Sequence, residues 1–334
     1  MILDQALDPP NTLHLEVLTG RFGLYEHAIL DRPRRSCGYT TDDNARALVV
    51  LSHIRPDGLG MRRYLQFVLA GRVPGGWHNR MSPFGVWVDA RGSDDAHGRA
   101  LWGLGYALAA TEDAGRVFPV FSRGLDLESP HPRSNAYAVL GAVAALGAWP
   151  AAPKIEVFLH RTAERLSRPH HGAWKWPEPR LTYDNARIPE ALIAAGALLD
   201  DDNMVADGLD LLEWLIETET GERGFSFTPV GGRGPGERGP AFDQQPIEAW
   251  AMADACLRAT SVDGGSLWDT GLAAAAAWML GRNDTGALLY DHSTGAGYDG
   301  LEAAGVNLNR GAESTLSALG ALQAGHRLVR APVG

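Results

Sequence analysis

The sequence predicts an all-α fold, one (α/α)6 toroid spanning residues 1–334, with short hairpin-like pieces in the loops of its active-site face. Three observations carry that expectation. Strongly apolar segments begin near Asp43, Ala96, Arg133, Pro189, Pro246 and Ala312, about 40 to 65 residues apart, a period that marks a repeat architecture. One-faced amphipathic segments lie between them, so the apolar helices form an inner layer and the others face water. A polar junction also recurs: Tyr39–Arg46 (Tyr-Thr-Thr-Asp-Asp-Asn-Ala-Arg), Tyr183–Arg187 (Tyr-Asp-Asn-Ala-Arg) and Ser93–Leu101 (Ser-Asp-Asp-Ala-His-Gly-Arg-Ala-Leu).

Taken in order, Asn11–Gly20 reads as a first helix with Leu13, Leu15, Val17 and Leu18 on its apolar side. Alternating Gly23–Ile29 and the loop Asp31–Tyr39 lead to the first inner helix, Asp43–Ile54. Gly60–Gly71 is its amphipathic partner, with Arg62, Arg63 and Gln66 facing out. Gly75–Ala90 holds a strand-like piece, Gly85–Val88, before the inner helix Ala96–Thr111 and the outer Ala114–Leu125. Arg133–Leu146 is inner and Lys154–Arg168 outer. A second strand-like piece, Gly172–Pro177, precedes Leu181–Arg187, the inner helix Pro189–Leu199 and the outer Asp201–Thr218. A third, Gly224–Thr228, opens a glycine-rich loop through Pro240. Inner Pro246–Thr260 and outer Gly265–Leu280 follow, then a long loop from Ala287–His292 to Asn309–Arg310 and a closing helix, Ala312–Val329.

Six inner and six outer helices close a ring, with the N-terminal helix as the last outer member. An open solenoid is the alternative, but it needs polar capping repeats, and Leu316–Leu328 is apolar. Loops from outer to inner helices are long and polar, whereas Arg55–Leu59 and Asp200–Asp202 are short. One face therefore carries elaborated loops over the inner-helix N-termini, where function on a rigid scaffold normally sits.

Composition narrows the partners. The 334 residues are 45% hydrophobic with a formal net charge of −10, which argues against nucleic acid or an anionic membrane. The start of the chain, with Asp4 and Asp8, has no signal-peptide pattern, and no apolar run approaches the roughly 20 residues of a membrane span. Cys37 and Cys256 form no C-x-x-C pair, and two free thiols in a cytoplasmic protein fit best, with one disulfide left open.

Aligning the inner-helix starts produces a polar ring. It holds Asp42, Asp43, Asn44 and Arg46; Asp94, Asp95, His97 and Arg99; Arg133, Ser134, Asn135 and Tyr137. It continues with Tyr183, Asp184, Asn185, Arg187 and Glu190; Asp243, Gln244, Gln245 and Glu248; Asn307, Asn309, Arg310 and Glu313. Each of Asp42, Asp94 and Asp243 also suits a helix N-cap, and Arg46 and Arg99 suit local ion pairs. Glu190, Glu248 and Glu313 are harder to explain as caps. The first and fourth inner helices lie opposite each other in a ring of six, which sets Asp43 and Asp184 on facing walls and leaves Asp42 as the cap.

Two carboxylates flanking a sugar are what glycoside hydrolysis requires, one donating a proton and the other activating water or attacking carbon. Asp43, Asp184, Asp95 and Glu248 are the acid/base candidates. Asn44, Arg46, His97, Arg99, Asn135, Tyr183, Asn185, Arg187, Glu190, Gln244, Gln245, Asn309, Arg310 and Glu313 are the hydroxyl-binding set. Trp174 and Trp176 offer flat faces for pyranose rings, although tryptophans on this face can equally cover helix ends. Trp250, Trp268 and Trp278 read as core. No cofactor is expected. Zinc-ligand spacing is missing, and a hard cation would use paired aspartates such as Asp42 and Asp43; no metal is expected. Gly231–Gly239 lacks the Gly-Lys-Ser/Thr of a phosphate loop and reads as a mobile flap. His170 and His171 read as loop residues.

The hairpin repeat with acidic junctions resembles the six-hairpin glycosidase superfamily over essentially the whole chain. More narrowly, Gly38–Leu48 resembles a group of bacterial proteins linked to glycosyltransferases or mannoside-processing enzymes. Leu181–Arg187, Phe242–Ala249, Tyr298–Leu301 and Arg310–Leu316 are similar to that group's other motifs. The resemblance implies a carbohydrate-active toroid; that superfamily holds hydrolases, phosphorylases, lyases and epimerases. The expected activity is inverting hydrolysis of an oligosaccharide or glycan. A phosphorylase or epimerase is the alternative, with Arg46, Arg99 and Arg310 on phosphate and His97 relaying a proton. From another class comes a non-catalytic glycan-binding protein working beside a glycosyltransferase.

Overall fold

A computed structural model describes residues 10–54, 58–166 and 173–330. Asp4, Asp8, Arg55, His170 and His171 lie outside these residues.

The inner helices are α2 (Thr41–Ile54), α4 (Asp94–Ala110), α6 (Pro132–Ala148), α8 (Arg187–Leu199), α10 (Pro246–Asp263) and α12 (Ala312–Arg330). The outer ones are α1 (Leu13–Leu18), α3 (Leu59–Ala70), α5 (Ala114–Gly124), α7 (Pro153–Ala163), α9 (Asp202–Glu219) and α11 (Ser266–Met279). Each inner helix packs on the next, and α12 packs on both α2 and α1, so the ring closes. The toroid is observed, and the open solenoid is not. Within this ring α2 faces α8, α4 faces α10, and α6 faces α12.

Residue pattern explains the layers. Between Ala96 and Leu108, nearly every residue of α4 is buried, whereas α3 buries Met61, Tyr64, Leu65 and Val68 and exposes Arg62, Arg63 and Gln66. Three glycines in α4 would each cost about 1 kcal/mol relative to alanine in an exposed helix. Here they let backbones meet. A Cβ on Gly105 would lie 2.0 Å from the Gly141 carbonyl oxygen of α6, and one on Gly103 would lie 2.7 Å from the Ala45 carbonyl oxygen of α2.

Loops follow the expected asymmetry. Residues 111–113, 149–152, 200–201 and 264–265 link inner to outer helices, whereas residues 71–93, 220–245 and 280–311 return to the other face; residues 125–131 also return and are short. Those longer loops hold two-stranded hairpins such as β4–β5 (Arg72–Val73 with Gly76–Trp77), β7–β8 (Thr220–Gly221 with Gly224–Phe225) and β11–β12 (Gly300–Glu302 with Gly305–Asn307).

Four local expectations are corrected. The first helix is shorter than Asn11–Gly20, and it exposes Leu13 and Val17 while burying His14, Leu15 and Leu18. Gly85–Val88 forms only a bridge from Trp87 to Met81, and described residues 173–177 contain no strand. The helix begun at Pro153 ends at Ala163. In the glycine-rich loop, Glu237 bonds both terminal nitrogens of Arg180 at 2.8 and 2.9 Å, and Arg233 pairs with Leu181.

Candidate active site

The ring of polar side chains forms at the N-terminal ends of the inner helices. Thr40 caps α2: its hydroxyl accepts from the Asp43 N–H at 3.2 Å and donates to Asp43 Oδ2 at 2.6 Å. Ser93 caps α4 through the Ala96 N–H. Asp42 and Asp94 are therefore free of the capping role expected of them. Asp42 meets Asn79 and lies 3.3 Å from Arg99 Nη1, while Asp94 bonds Arg91 and Ser129.

The Asp-Asn-Ala-Arg echo has the same meaning on both sides of the ring. In each copy the arginine, one turn later, meets its own aspartate: Arg46 Nη1 to Asp43 Oδ1 at 2.9 Å, and Arg187 Nε to Asp184 Oδ1 at 3.3 Å. In each copy the asparagine is buried and ties down backbone. Asn44 bonds the Leu24 N–H and the Thr40 carbonyl; Asn185 bonds the Thr182 N–H and Glu248. Asn44 and Asn185, both fully buried, thus serve the scaffold rather than a sugar.

Asp184 and Asp43 lie deep. Asp184 is 1% exposed, with a φ of +48°, and Tyr137 donates to its Oδ2 at 2.5 Å. Glu248 holds that backbone in place: it accepts from the Asp184 N–H and, at 3.1 Å, from the Asn185 N–H. Burial, with Glu219 and Asp184 nearby, pushes the Glu248 carboxyl well above the usual range. It was expected at the chemistry, and its oxygens are spent on a neighbouring loop. Burial also pushes Asp43 up to about 6, against the pull of Arg46 and Thr40. Arg46 continues to Glu313 at 2.6 Å, whose side chain is 40% exposed.

Below this level Arg187 fills the axis. Its guanidinium lies 4.6 Å from the rings of both Trp102 and Trp250, which stack on each other at 5.2 Å. Its Nη1 bonds Glu190 at 2.6 Å and Asp254 at 2.8 Å. Arg187 and Glu190 are thus parts of a buried partition, out of reach of a sugar at the mouth.

Asp95 is the acid of α4 that faces the mouth. Ser134 donates to it at 2.5 Å, the Tyr183 hydroxyl donates to its other oxygen, and Arg99 Nη2 lies 3.6 Å away. Burial would raise its pKa, but Arg99 and the two hydroxyls outweigh burial and hold it below the usual range. Tyr183 is 37% exposed and stands over Arg133, whose charge is met by Glu178. Directly across the ring, at the start of α10, Asp243 goes the other way. Burial, then Glu302 and Asp299, push it up to about 6, and its Oδ1 has no hydrogen-bond partner among the described residues. The sequence places Asp243 in the polar ring and as a possible cap, but not among the acid/base candidates. The signal that marks it is the pairing of two motifs: its carboxylate packs on Gly300 of the Tyr298–Leu301 segment.

The remaining candidates divide. His97 sits two residues after Asp95, on the opposite side of the helix, and packs on Trp77 at 5.2 Å; it is not in the cavity. Asn135 bonds the Ser129 carbonyl outside the ring, and Asn309 holds the Leu30 N–H. Gln244 is fully buried on Phe227, Ala241 and Asp284, and Trp176 is 3% exposed against Trp214. Trp174 is half-buried and lines a cleft of about 820 Å³ beside the glycine-rich loop. Gln245 and Arg310 remain half-exposed, Arg310 over the Tyr298 ring at 4.8 Å. Among the described residues no three His, Cys, Asp or Glu side chains are arranged to hold a metal ion, and no helix is long and apolar enough to cross a membrane. Cys37 and Cys256 are unpaired.

No family model matches the chain, and no curated protein matches it. Solved structures do. Cellobiose 2-epimerase from Bacillus thermoamylovorans superposes with a TM-score of 0.76 at 9% identity, covering 98% of each chain. A D-mannose isomerase gives 0.71 at 9% identity over 97% of this chain and 96% of that one. A GH76 α-mannanase from Bacteroides thetaiotaomicron gives 0.60 at 11% identity over 98% and 95%. The fold is therefore an (α/α)6 toroid, shared with these structures over nearly the whole of this chain.

Proposed function

We propose that the protein is a carbohydrate-active enzyme, and that it hydrolyses a glycosidic bond by carboxylate acid/base catalysis at the mouth of the toroid. One observation carries this reading: Asp95 and Asp243 stand at the starts of helices directly opposite in the ring, and their surroundings push their pKa values apart. A carboxyl held protonated facing one held ionised is the division of labour that glycoside hydrolysis needs. Asp243 donates the proton to the leaving oxygen and Asp95 activates water or attacks carbon. Tyr183 fixes Asp95, while Gln245, Glu313 and Arg310 offer polar contacts for hydroxyls. Asp43, with Arg46, orients Glu313 from behind. The substrate is an oligosaccharide or glycan, and a gene-level partnership with a glycosyltransferase remains part of the proposal.

A second reading is epimerisation or isomerisation of a reducing sugar. The similarity to the cellobiose 2-epimerase and D-mannose isomerase structures supports it, with TM-scores above that of the mannanase. The same two carboxyls would then exchange a proton at carbon. Incubation with gluco- and manno-oligosaccharides in D₂O separates the readings. Hydrolysis releases shorter sugars without deuterium on carbon, whereas epimerisation leaves chain length unchanged and labels C2. Intact, unlabelled sugars throughout the panel would overturn both.

A further inference from the structure

The toroid encloses a second chamber at the end of the axis remote from the polar ring. It has a volume of about 910 Å³, and all six inner helices contribute to its wall. Trp250 and Glu190 lie on its lining, and Trp102 and Arg187 pack against them from behind. Much of the remaining wall is apolar, from Val49, Val50, Val143, Leu198 and Leu257.

The charges in this well are unequal in kind. Glu190 and Asp254 reach the wall, but Arg187 Nη1 already holds both carboxylates, at 2.6 and 2.8 Å. Arg258 of α10 and Arg327 of α12 reach it too. Among the described residues, neither guanidinium is held in a side-chain hydrogen bond or in an ion pair at contact distance. Arg258 acts through space on Glu190 and Asp254, and Arg327 on Asp254, but neither touches an acid among the described residues; the well thus presents two guanidinium groups without a contact partner beside an apolar, partly aromatic surface. Guanidinium forks bind carboxylates through charge-assisted bonds, and a concave apolar wall takes up the rest of such a molecule.

We propose that this well is a binding site for a small organic acid, its carboxylate on Arg258 and Arg327 and its apolar body against the valine and leucine wall. The site is separate from the proposed chemistry at the mouth and does not depend on it.

The test uses the full chain and the fluorescent amphipathic anion 8-anilinonaphthalene-1-sulfonate. The protein should enhance its emission with a saturable response, and hexanoate should displace it where equimolar hexan-1-ol does not. Arg258→Gln with Arg327→Gln should weaken the dye and hexanoate by roughly ten-fold or more. A steric variant gives an independent check. A Cβ at Gly147, on the exposed lip of the wall, meets no atom within 4 Å, so Gly147→Phe adds bulk at the lip without a clash and should weaken the response. Displacement by hexan-1-ol as effective as by hexanoate overturns the proposal. So does competition by inorganic phosphate alone at hexanoate's potency, or an unchanged response in the variants that retain the native circular dichroism spectrum and melting curve.

Discussion

Asp243 Oδ1 lies 2.2 Å from the point that a Cβ on residue 300 would occupy, so Gly300 gives this carboxyl its position. Gly300→Ala must swing the Asp243 side chain aside, while the β11 backbone can stay as it is. Turnover should fall by at least about ten-fold, since a misplacement near 1 Å costs rate steeply. The melting temperature should hold within about 2 °C, because the atom that must give way is the end of a side chain rather than backbone. A large loss of stability with full residual activity per folded molecule would contradict the positioning role.

The pH profile follows from the two shifts. Asp243 must be protonated to act as the acid, so activity falls as pH rises through about 6. Asp95 must be ionised, and its pKa is held below the usual carboxylate range, so activity falls only in strong acid. kcat/KM should therefore peak below pH 6, with a steep alkaline limb. Asp243→Asn should remove that limb and cost about 10²–10⁴ in rate, and Asp95→Asn should cost a similar factor. Asp184→Asn changes a buried scaffold residue and should lower stability at least as clearly as turnover.

The fold was legible because it rests on periodicity, and the ring because its Asp–Arg pairs repeat the same local requirement one turn apart. What escaped depends on contacts between distant segments. Nothing local says that Glu248 of α10 accepts from the backbone of Asp184 and Asn185, or that Gln244 is consumed by Asp284. Asp243 becomes conspicuous only once Gly300 is packed beneath it. His97 is different: two residues from Asp95 means about 200° around a helix, so helical geometry alone places it on the outer layer.

Stability should also depend on pH, with a sign opposite to that of simple salt-bridged proteins. Asp43 is fully buried and keeps its proton up to about pH 6, whereas its ordinary pKa is 3.8. Glu190 is likewise pushed up by burial, from 4.5 to about 7. Between each pair of values the folded state binds more protons than the unfolded one, so stability falls as pH rises. About two units for Asp43 correspond to about 3 kcal/mol at 1.36 kcal/mol per unit. Groups with lowered values, Asp94 and Asp95 among them, lose their contribution only below about pH 4. Urea midpoints should therefore be highest near pH 4–5 and decline toward pH 7.5, and Asp43→Asn should flatten the decline between pH 4 and 6. A midpoint that rises steadily from pH 4.5 to 7.5 would be inconsistent with these burial effects.

The buried partition has its own signature. Arg187 meets Asp184, Glu190 and Asp254 while its guanidinium lies 4.6 Å from the rings of both Trp102 and Trp250. Arg187→Met keeps much of the volume but strands three carboxyls in the axis, and breaking a buried pair in this way costs about 3–5 kcal/mol. Adding Glu190→Gln removes one stranded charge, so Arg187→Met/Glu190→Gln should recover part of the loss. Arg187→Lys should recover less than its charge suggests, because an ammonium cannot present a planar face to two indoles while bonding two acids. Chemical denaturation of the four proteins at pH 7.5, where carboxyls are most ionised, reads the difference directly: equal stabilities for Arg187→Met and the double variant would mean that packing, rather than charge, holds the partition.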